Sequence, residues 1–466
     1  MRSTSWLGRA SVAVATGAAL ATTAVVTPPS SAAQGALIPA LQIDGRGFGH
    51  GVGMAQDGAL AMGHAGASLP QILAQFYPGT SLAKAGSGPV RVPVYAGNNV
   101  EMAFPEGGEV RGNAGTVSFA PGTKALVSRD GQGIRVRPSI TPTPPPTTST
   151  TVGGATTTTG STSTTTSTTT LFPVGERRQT DPIIPASTTT SSTSSTTTTA
   201  PSNPGVVFSG PVTVDPEGDG RVGLVPRNRR YRGVFELTPL AGGVRFVNQV
   251  GVETYLRGMG EVRNPSWPAP SLQAQAVAAR TYALRAMAAG GELCDTQRCQ
   301  VYIGSDAEYA AMDKAVGATA GQVLTYGKGL ASAVYSANGG GHSASREEGF
   351  GLAGPSSHPY LRAAPYLCPK PDVWSVTLAL AAVAKRLNYK GTLTGVVVAE
   401  RGASGRATRI VLQGDAGDAA VTGLAFDAAL GLKSTLFSLK TTMAAEVADI
   451  KGGSILQAPP EDAAAL

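Results

Sequence analysis

The chain has 466 residues, enough for two or three domains or for one domain with long additions. Charged residues make up 14%, well below the roughly 25% of an average soluble protein, while 60 Gly and 33 Pro supply many turn positions. A net charge of +7 suits an anionic polymer without choosing between nucleic acid and cell wall, but 6% aromatics argue against rows of base-stacking side chains, and three cysteines exclude a disulfide-dense miniature scaffold and a four-cysteine zinc site.

Arg2 and Arg9 precede a mostly apolar run from Ala10 to Val26, and Ser31-Ala32-Ala33 follow. A charged start, an apolar stretch and a small-residue cleavage site predict a signal peptide over 1–33, with the mature chain starting near Gln34. The alternative is an uncleaved membrane anchor. No cysteine follows the apolar stretch to carry a lipid, and no later stretch reaches the ~18 apolar residues of a spanning helix. The expected location is therefore secreted or in the cell wall.

The next unusual segment is Gly45-Arg46-Gly47-Phe48-Gly49-His50-Gly51-Val52-Gly53, followed by Gln56, Asp57 and Gly58. Alternate glycines let the backbone turn tightly and approach a ligand closely. No strand-plus-GxGxxG unit or phosphate-loop lysine is present, so a nucleotide cradle is not expected. Either this is a glycine turn with His50 satisfied in the core, or His50 and Gln56 face a polysaccharide cleft. Ala59 to Gln75 reads as helix-turn-helix.

Pro89 to Val136 holds short alternating runs, Val90–Val94, Val117–Phe119 and Ile134–Val136, which predict strands. Residues 139–205 are different: Thr and Ser dominate 147–170 and 187–199. Such a tract buries too little apolar surface to offset its ordering entropy, and predicts a disordered linker whose composition is open to O-glycosylation. Strand-like runs resume at Val212–Val214, Val222–Val225 and Val244–Val247, so the tract reads as an insertion at a strand-to-strand turn.

Glu261 lies in Tyr255-Leu256-Arg257-Gly258-Met259-Gly260-Glu261, ahead of a Pro-rich stretch with Trp267. It is either a surface charge paired with Arg257 or Arg263, or a catalytic acid. Ser271 to Ala289 is Ala-rich and free of Gly and Pro, which predicts a helix capped by Ser271 and stopped at Gly290. Cys294 and Cys299 form a close pair, read as a disulfide outside the cytoplasm, or else as a metal pair completed by His50, His342 or His358. Cys368 is left over, free and buried, or takes the place of either partner. Asn338-Gly339-Gly340-Gly341-His342 follows an apolar run ending at Tyr335-Ser336, and is either a binding-site wall or an ordinary strand-end turn. Val373 to Leu387 predicts a helix; Val396–Glu400 and Thr408–Leu412 predict strands. The mixture has no regular βαβ series, so the expected class is α+β. There is no Gly-x-Ser-x-Gly elbow and no His-Glu-x-x-His zinc helix, which leaves Glu261 as the best catalytic acid.

Together these segments resemble the stage II sporulation protein D / amidase-enhancer (LytB) family. The resemblance rests on Gly45 to Gly58, Ile72-Leu73 with Phe76-Tyr77-Pro78-Gly79-Thr80, Tyr255 to Glu261, Ala274 to Ala283, Cys299-Gln300-Val301-Tyr302-Ile303-Gly304, Ala315-Val316 with Thr319-Ala320-Gly321, Tyr335 to Gly340, and Leu432 to Phe437. It covers about 36–80 and 206–440.

The family usually carries the Gly-His-Gly segment near its C-terminus. Here it comes first, so the resemblance implies a circularly permuted, β-rich α+β fold with a central Ala-rich helix, interrupted by the Thr/Ser tract. The expected division is an N-terminal part over 36–138, a linker over 139–205, the main catalytic domain over 206–440 and a tail over 441–466. Asp57 stands where relatives carry an aromatic.

The resemblance implies peptidoglycan work: either lytic transglycosylase cleavage of glycan strands, or stimulation of a wall amidase without own activity. Peptidoglycan glycan strands and a wall amidase are the implied partners, with no nucleic acid, and membrane contact only through an uncleaved anchor. The family's essential acid falls on Glu261, in an apolar setting expected from Met259, Val262 and Trp267. Gln275, Arg280, Gln300, Tyr302, Ser336, Asn338, Gly339, Gly340, His50 and Gln56 are expected to line the cleft. No cofactor is expected; a metal at Cys294 and Cys299 is the alternative.

Overall fold

A computed structural model describes residues 37–86, 88–139, 204–352 and 358–449. The expected signal peptide and nearly all of the Thr/Ser tract lie outside the described residues. The class is α+β. The described residues divide into two compact units, one within Gly47–Pro371 and one formed by residues 37–46 together with 372–449. Residues 41–43 and 378–437 share a core of their own.

In the larger unit, two six-stranded antiparallel sheets carry the strand character read from the alternating runs. One runs in the order Val206–Phe208, Gly133–Pro138, Thr123–Asp130, Val100–Phe104, Val222–Leu224, Arg229–Tyr231. The other runs Pro89–Gly97, Gly243–Gly251, Val234–Leu240, Val212–Pro216, Gly108–Gly112, Gly115–Phe119. Their inward positions are Val, Leu, Ile and Phe, and belong to one buried cluster. The rings of Phe104 and Phe119, one from each sheet, stack with centroids 4.6 Å apart. The strands on either side of the Thr/Ser tract are antiparallel neighbours, with Val136 opposite Val206.

Six α-helices among the described residues complete this unit: α1 (Gln56–His64), α2 (Leu69–Phe76), α3 (Val252–Arg257), α4 (Ala269–Ala288), α5 (Ala310–Ala318) and α6 (Arg346–Phe350). α4 is the expected Ala-rich helix, and its small side chains let it pack in the core on nearly every side. It begins two residues before the expected start, because Pro270 suits a first helical turn. Ser271 is therefore not its cap. The Ser271 hydroxyl is buried and donates to the Ala59 carbonyl of α1 at 2.8 Å.

The smaller unit contains two three-stranded sheets, Val373–Ala379 / Ile38–Arg46 / Phe437–Ala444 and Leu393–Arg401 / Ala407–Gly414 / Ala419–Thr422. Leu41, Ile43, Leu378, Val383, Ile410 and Phe426 lie in its core. The helix expected over Val373 to Leu387 is half strand: Val373–Ala379 pairs with the first strand, and only Leu380–Arg386 is helical. The β-branched Val373, Val376 and Thr377 suit a pleated strand better than a helix. The strand Phe437–Ala444 runs past the expected domain end at 440. No helix among the described residues is long and apolar enough to cross a membrane.

Candidate active site

Glu261 follows the short helix α3. The intervening backbone lies against residues 301–304: Met259 bridges Tyr302, and the Gly260 N–H donates to the Val301 carbonyl at 2.8 Å. The Val301 N–H in return donates to Glu261 Oε1 at 2.7 Å. Leu256, Met259, Val262, Ala276, Ala279 and Met312 surround one side of the carboxyl group, with Gln275 among them. Met259 and Val262 supply the expected apolar setting; Trp267 packs on the same core but is not in this lining. Burial pushes the Glu261 carboxyl up to about 7, against the opposing hydrogen bonds from Val301 and the Gln56 side chain. Arg257 turns toward Asp313, 3.9 Å away, rather than pairing with Glu261.

The other side of Glu261 opens on a cleft lined by Phe48, Gly49, His50, Tyr282, Val334 to Ala337 and Phe350, with Gln297, Arg298 and Cys299 at its rim. The glycine-rich segment forms one wall. Phe48 bridges Asn338 through N···O contacts of 2.7 and 3.1 Å, and Met54–Ala55 pairs in parallel with Tyr335–Ser336. At Gly53, with φ of +71°, a Cβ would stand 2.1 Å from the Val334 carbonyl oxygen. This contact requires glycine for its space and for its backbone conformation.

His50 Nδ1 accepts the Val52 N–H at 2.9 Å. The ring tilts against Phe350, with centroids 4.7 Å apart. The Ser336 hydroxyl is buried in the cleft wall and has no hydrogen-bond partner among the described residues.

Residues 241–326 match the family model described as Stage II sporulation protein, SpoIID. Over this segment the chain is similar to the SpoIID family. The chain is 32% identical over 131 residues to an uncharacterized protein of Brachyspira hyodysenteriae, covering 27% of this chain and 36% of that protein. It is 36% identical over 120 residues to the amidase enhancer of Bacillus subtilis, covering 24% of this chain and 15% of that one. The match thus spans well under two thirds of either relative. No solved structure matches the chain.

The SpoIID segment contains Glu261, Gln275, Arg280, Gln300 and Tyr302, and the structure separates their roles. Gln275 is buried beside Glu261 and accepts from Gln56 Nε2 at 3.2 Å. Gln300 is buried behind the cleft, accepting from the Tyr255 hydroxyl at 3.0 Å and donating to the Tyr335 hydroxyl at 2.9 Å. It therefore links two aromatic residues near Glu261 rather than facing open space.

Like Gln300, the expected cleft residues Arg280 and Tyr302 do not line the cleft. Arg280 is 0% exposed, and its guanidinium donates to Glu253 at 2.6 and 2.9 Å and to the Gln322 carbonyl at 3.1 Å. The Tyr302 hydroxyl donates to Asn248 Oδ1 at 2.8 Å in the core. A charge or hydroxyl with these partners is held for packing, because buried polar groups need hydrogen bonds.

Outside the SpoIID segment, His50 and Ser336 join Glu261 in the cleft, and Gln56 joins it from α1. Asn338 contributes its backbone bridge to Phe48, while its side chain accepts the Gly340 N–H at 2.8 Å. Gly339 and Gly340 shape this loop. Cys294 and Cys299 are joined in a disulfide with Cα atoms 5.4 Å apart. Among the described residues, no group of three or more His, Cys, Asp or Glu is arranged to hold a metal. Cys368 is a free, half-buried thiol.

Phe48, Tyr282 and Tyr335 lie inside segments that the sequence singles out, but hydrophobic residues there read equally well as core. Nothing in the sequence marks Phe350, Gln297 and Arg298 as cleft residues; Phe350 arrives at the end of the short helix Arg346–Phe350, and Gln297 and Arg298 in the loop closed by the Cys294–Cys299 disulfide.

Proposed function

We propose that the chain is an exported lytic transglycosylase that cleaves peptidoglycan glycan strands, with Glu261 as acid and then base. A cell-wall role is the coarser statement, supported by the SpoIID match and by a relative named amidase enhancer. The observation that carries the finer reading is the Glu261 carboxyl, pushed up to about 7 at the floor of a cleft. Such a group holds its proton near neutrality and can also lose it, which suits general acid–base catalysis.

Protonated Glu261 gives its proton to the glycosidic oxygen as the glycosidic bond breaks. The carboxylate then takes the proton of the muramic 6-hydroxyl, whose oxygen attacks the anomeric carbon. The product is a 1,6-anhydro-muramic end, and no water is consumed. A hydrolase instead needs a second carboxylate roughly 5–10 Å from the first. Glu253 is engaged by Arg280, and Asp57 is not among the residues lining the cleft. The reading includes a circular permutation, supported by the packing of residues 47–55 beside 334–344 in one unit.

A second reading is a non-catalytic wall-binding protein that stimulates an N-acetylmuramoyl-L-alanine amidase, favoured by the name of the Bacillus subtilis relative. Digestion of isolated sacculi by the purified chain, with mass spectrometry of the products, separates the two. Release of anhydro-muropeptides or anhydro-sugars supports the enzyme. Binding without release, together with faster amidase action, overturns it in favour of the enhancer.

A further inference from the structure

Asp57 is a carboxylate that the proposed chemistry leaves without a role. It is the second residue of α1, and its N–H donates to the Ala337 carbonyl at 3.2 Å. Several donors converge on its side chain. The Tyr366 hydroxyl lies 3.0 and 3.1 Å from its two oxygens, the Cys368 sulfur 3.1 Å from Oδ2, and the Gly339 nitrogen 3.4 Å from Oδ1. Tyr366 in turn accepts the Gly341 N–H at 3.1 Å. Its hydroxyl therefore passes the hold of Asp57 on to the far end of the glycine loop.

The fit is close. A Cβ on Gly339 would stand 2.8 Å from the Tyr366 hydroxyl, and the Tyr366 ring packs edge-on against Phe76 of α2 with centroids 5.5 Å apart. Neither donor competes with Asp57 as an anion. Burial and the neighbouring carboxylate push the Cys368 thiol up to about 12, and the Tyr366 phenol is raised as well. Both therefore remain hydrogen-bond donors at neutral pH.

The loop so held is continuous with the cleft. Ser336 and Ala337 line it, and Asn338 is bridged to the lining residue Phe48. We propose that Asp57 is a positioning residue: with Tyr366 it latches residues 337–341 from behind, and thereby fixes the cleft wall that carries the Ser336 hydroxyl. The functional half of this proposal rests on the glycan reading above; the latch itself does not. Cys368 is dispensable in it, because its sulfur bonds the carboxylate and makes no hydrogen bond to residues 337–341 among the described residues.

The test uses D57N, Y366F, the double variant and C368S in the full chain. One readout is amide hydrogen exchange at Gly339 and Gly341; another is KM against kcat on glycan strands, with direct glycan binding in an E261Q background. Asn matches Asp in shape but carries no charge and offers one acceptor oxygen in place of two. D57N and Y366F are each expected to speed exchange at both glycines and to weaken glycan binding about tenfold, the equivalent of about 1.4 kcal/mol for one charge-assisted bond. The value of kcat should stay within about threefold, because Val301 and the apolar lining of Glu261 are untouched. The double variant should be no worse than D57N, since both changes open one latch. C368S should match the wild type.

Unchanged exchange in D57N overturns the latch. Faster exchange with wild-type glycan affinity overturns its role in the cleft. A wild-type chain that neither binds nor cuts glycan overturns the proposed function, and the exchange data then decide the latch alone.

Discussion

The Val301 N–H donates to Glu261 Oε1 at 2.7 Å, although 40 residues separate the two. This bond aims the carboxyl group while the apolar side chains around it hold its proton. The two influences oppose each other, and burial dominates. Removing the titrating group while keeping its shape isolates the chemistry. In E261Q the amide can still accept from Val301, so fold and glycan binding should persist. Cleavage should fall at least ~10²–10⁴-fold, the range for a general acid–base group, since Gln serves neither proton transfer. Anhydro-product release from sacculi at wild-type rate would remove Glu261 from the mechanism.

The same carboxyl predicts a pH signature in stability. Its folded value is about 7 against an ordinary 4.5. Between these values the folded protein keeps a proton that the unfolded chain has lost. Stability attributable to Glu261 is therefore full below about 4.5 and declines as pH rises through 7. E261Q lacks this term. Its unfolding free energy relative to wild type should rise by roughly 2 kcal/mol between pH 4.5 and pH 8, a figure reduced for the open side of the cleft. Urea denaturation of both proteins across that range checks it; parallel curves would mean that the carboxyl titrates normally. Cleavage by the wild type should correspondingly fall as pH rises above about 7, where the acid form is depleted.

Arg280 gives a contrasting prediction. It is fully buried and ion-paired with Glu253, and it also satisfies backbone carbonyls at the end of α5 and beyond. Replacing one member of such a pair strands the other, at about 3–5 kcal/mol. Glu253 keeps some solvent contact, so R280M should lie near the lower end. The loss should appear in the urea midpoint, with KM of the remaining folded enzyme unchanged. A selective rise in KM at wild-type stability would return Arg280 to the cleft.

These residues show what the sequence could and could not reveal. α4 is legible because the Ala-rich run from Ser271, free of Gly and Pro, leaves little alternative, and Glu261 is singled out by the segment Tyr255 to Glu261. Arg280 was misleading: it lies in an equally distinctive segment, and only the fold brings Glu253, 27 positions earlier, against it. Ser271 looked like a cap because its partner, the Ala59 carbonyl, is 212 positions away. Val373–Ala379 read as helix because its register against Ile38–Arg46 depends on a strand more than 300 residues upstream. Local pattern carried the local elements; long-range partners decided which polar residues face the cleft and which support it. Phe350 ends the short helix Arg346–Phe350 and Arg298 lies in the loop between the two cysteines, and no local pattern marks either as facing the cleft.

The Thr/Ser tract yields the last prediction. Gly133–Pro138 and Val206–Phe208 are antiparallel neighbours, with Val136 opposite Val206 and Ile134 opposite Phe208. The tract between them thus joins two strands whose ends already lie side by side. Closing a loop between fixed ends depends only weakly on its length, since each doubling costs about 0.6 kcal/mol. Composition also gives residues 147–170 and 187–199 little apolar surface to bury. Deleting Ser139 to Pro204 and joining the ends with a short Gly/Asn turn should therefore leave the melting temperature within about 3 °C of wild type. Glycan cleavage should be unchanged as well, because the cleft residues belong to segments 48–50, 261, 282, 297–299, 334–337 and 350. Calorimetry and the sacculus assay on the shortened chain measure both. A fall of ten degrees or more would show that the tract is docked on the folded part, and loss of cleavage at full stability would give it a part in engaging the wall.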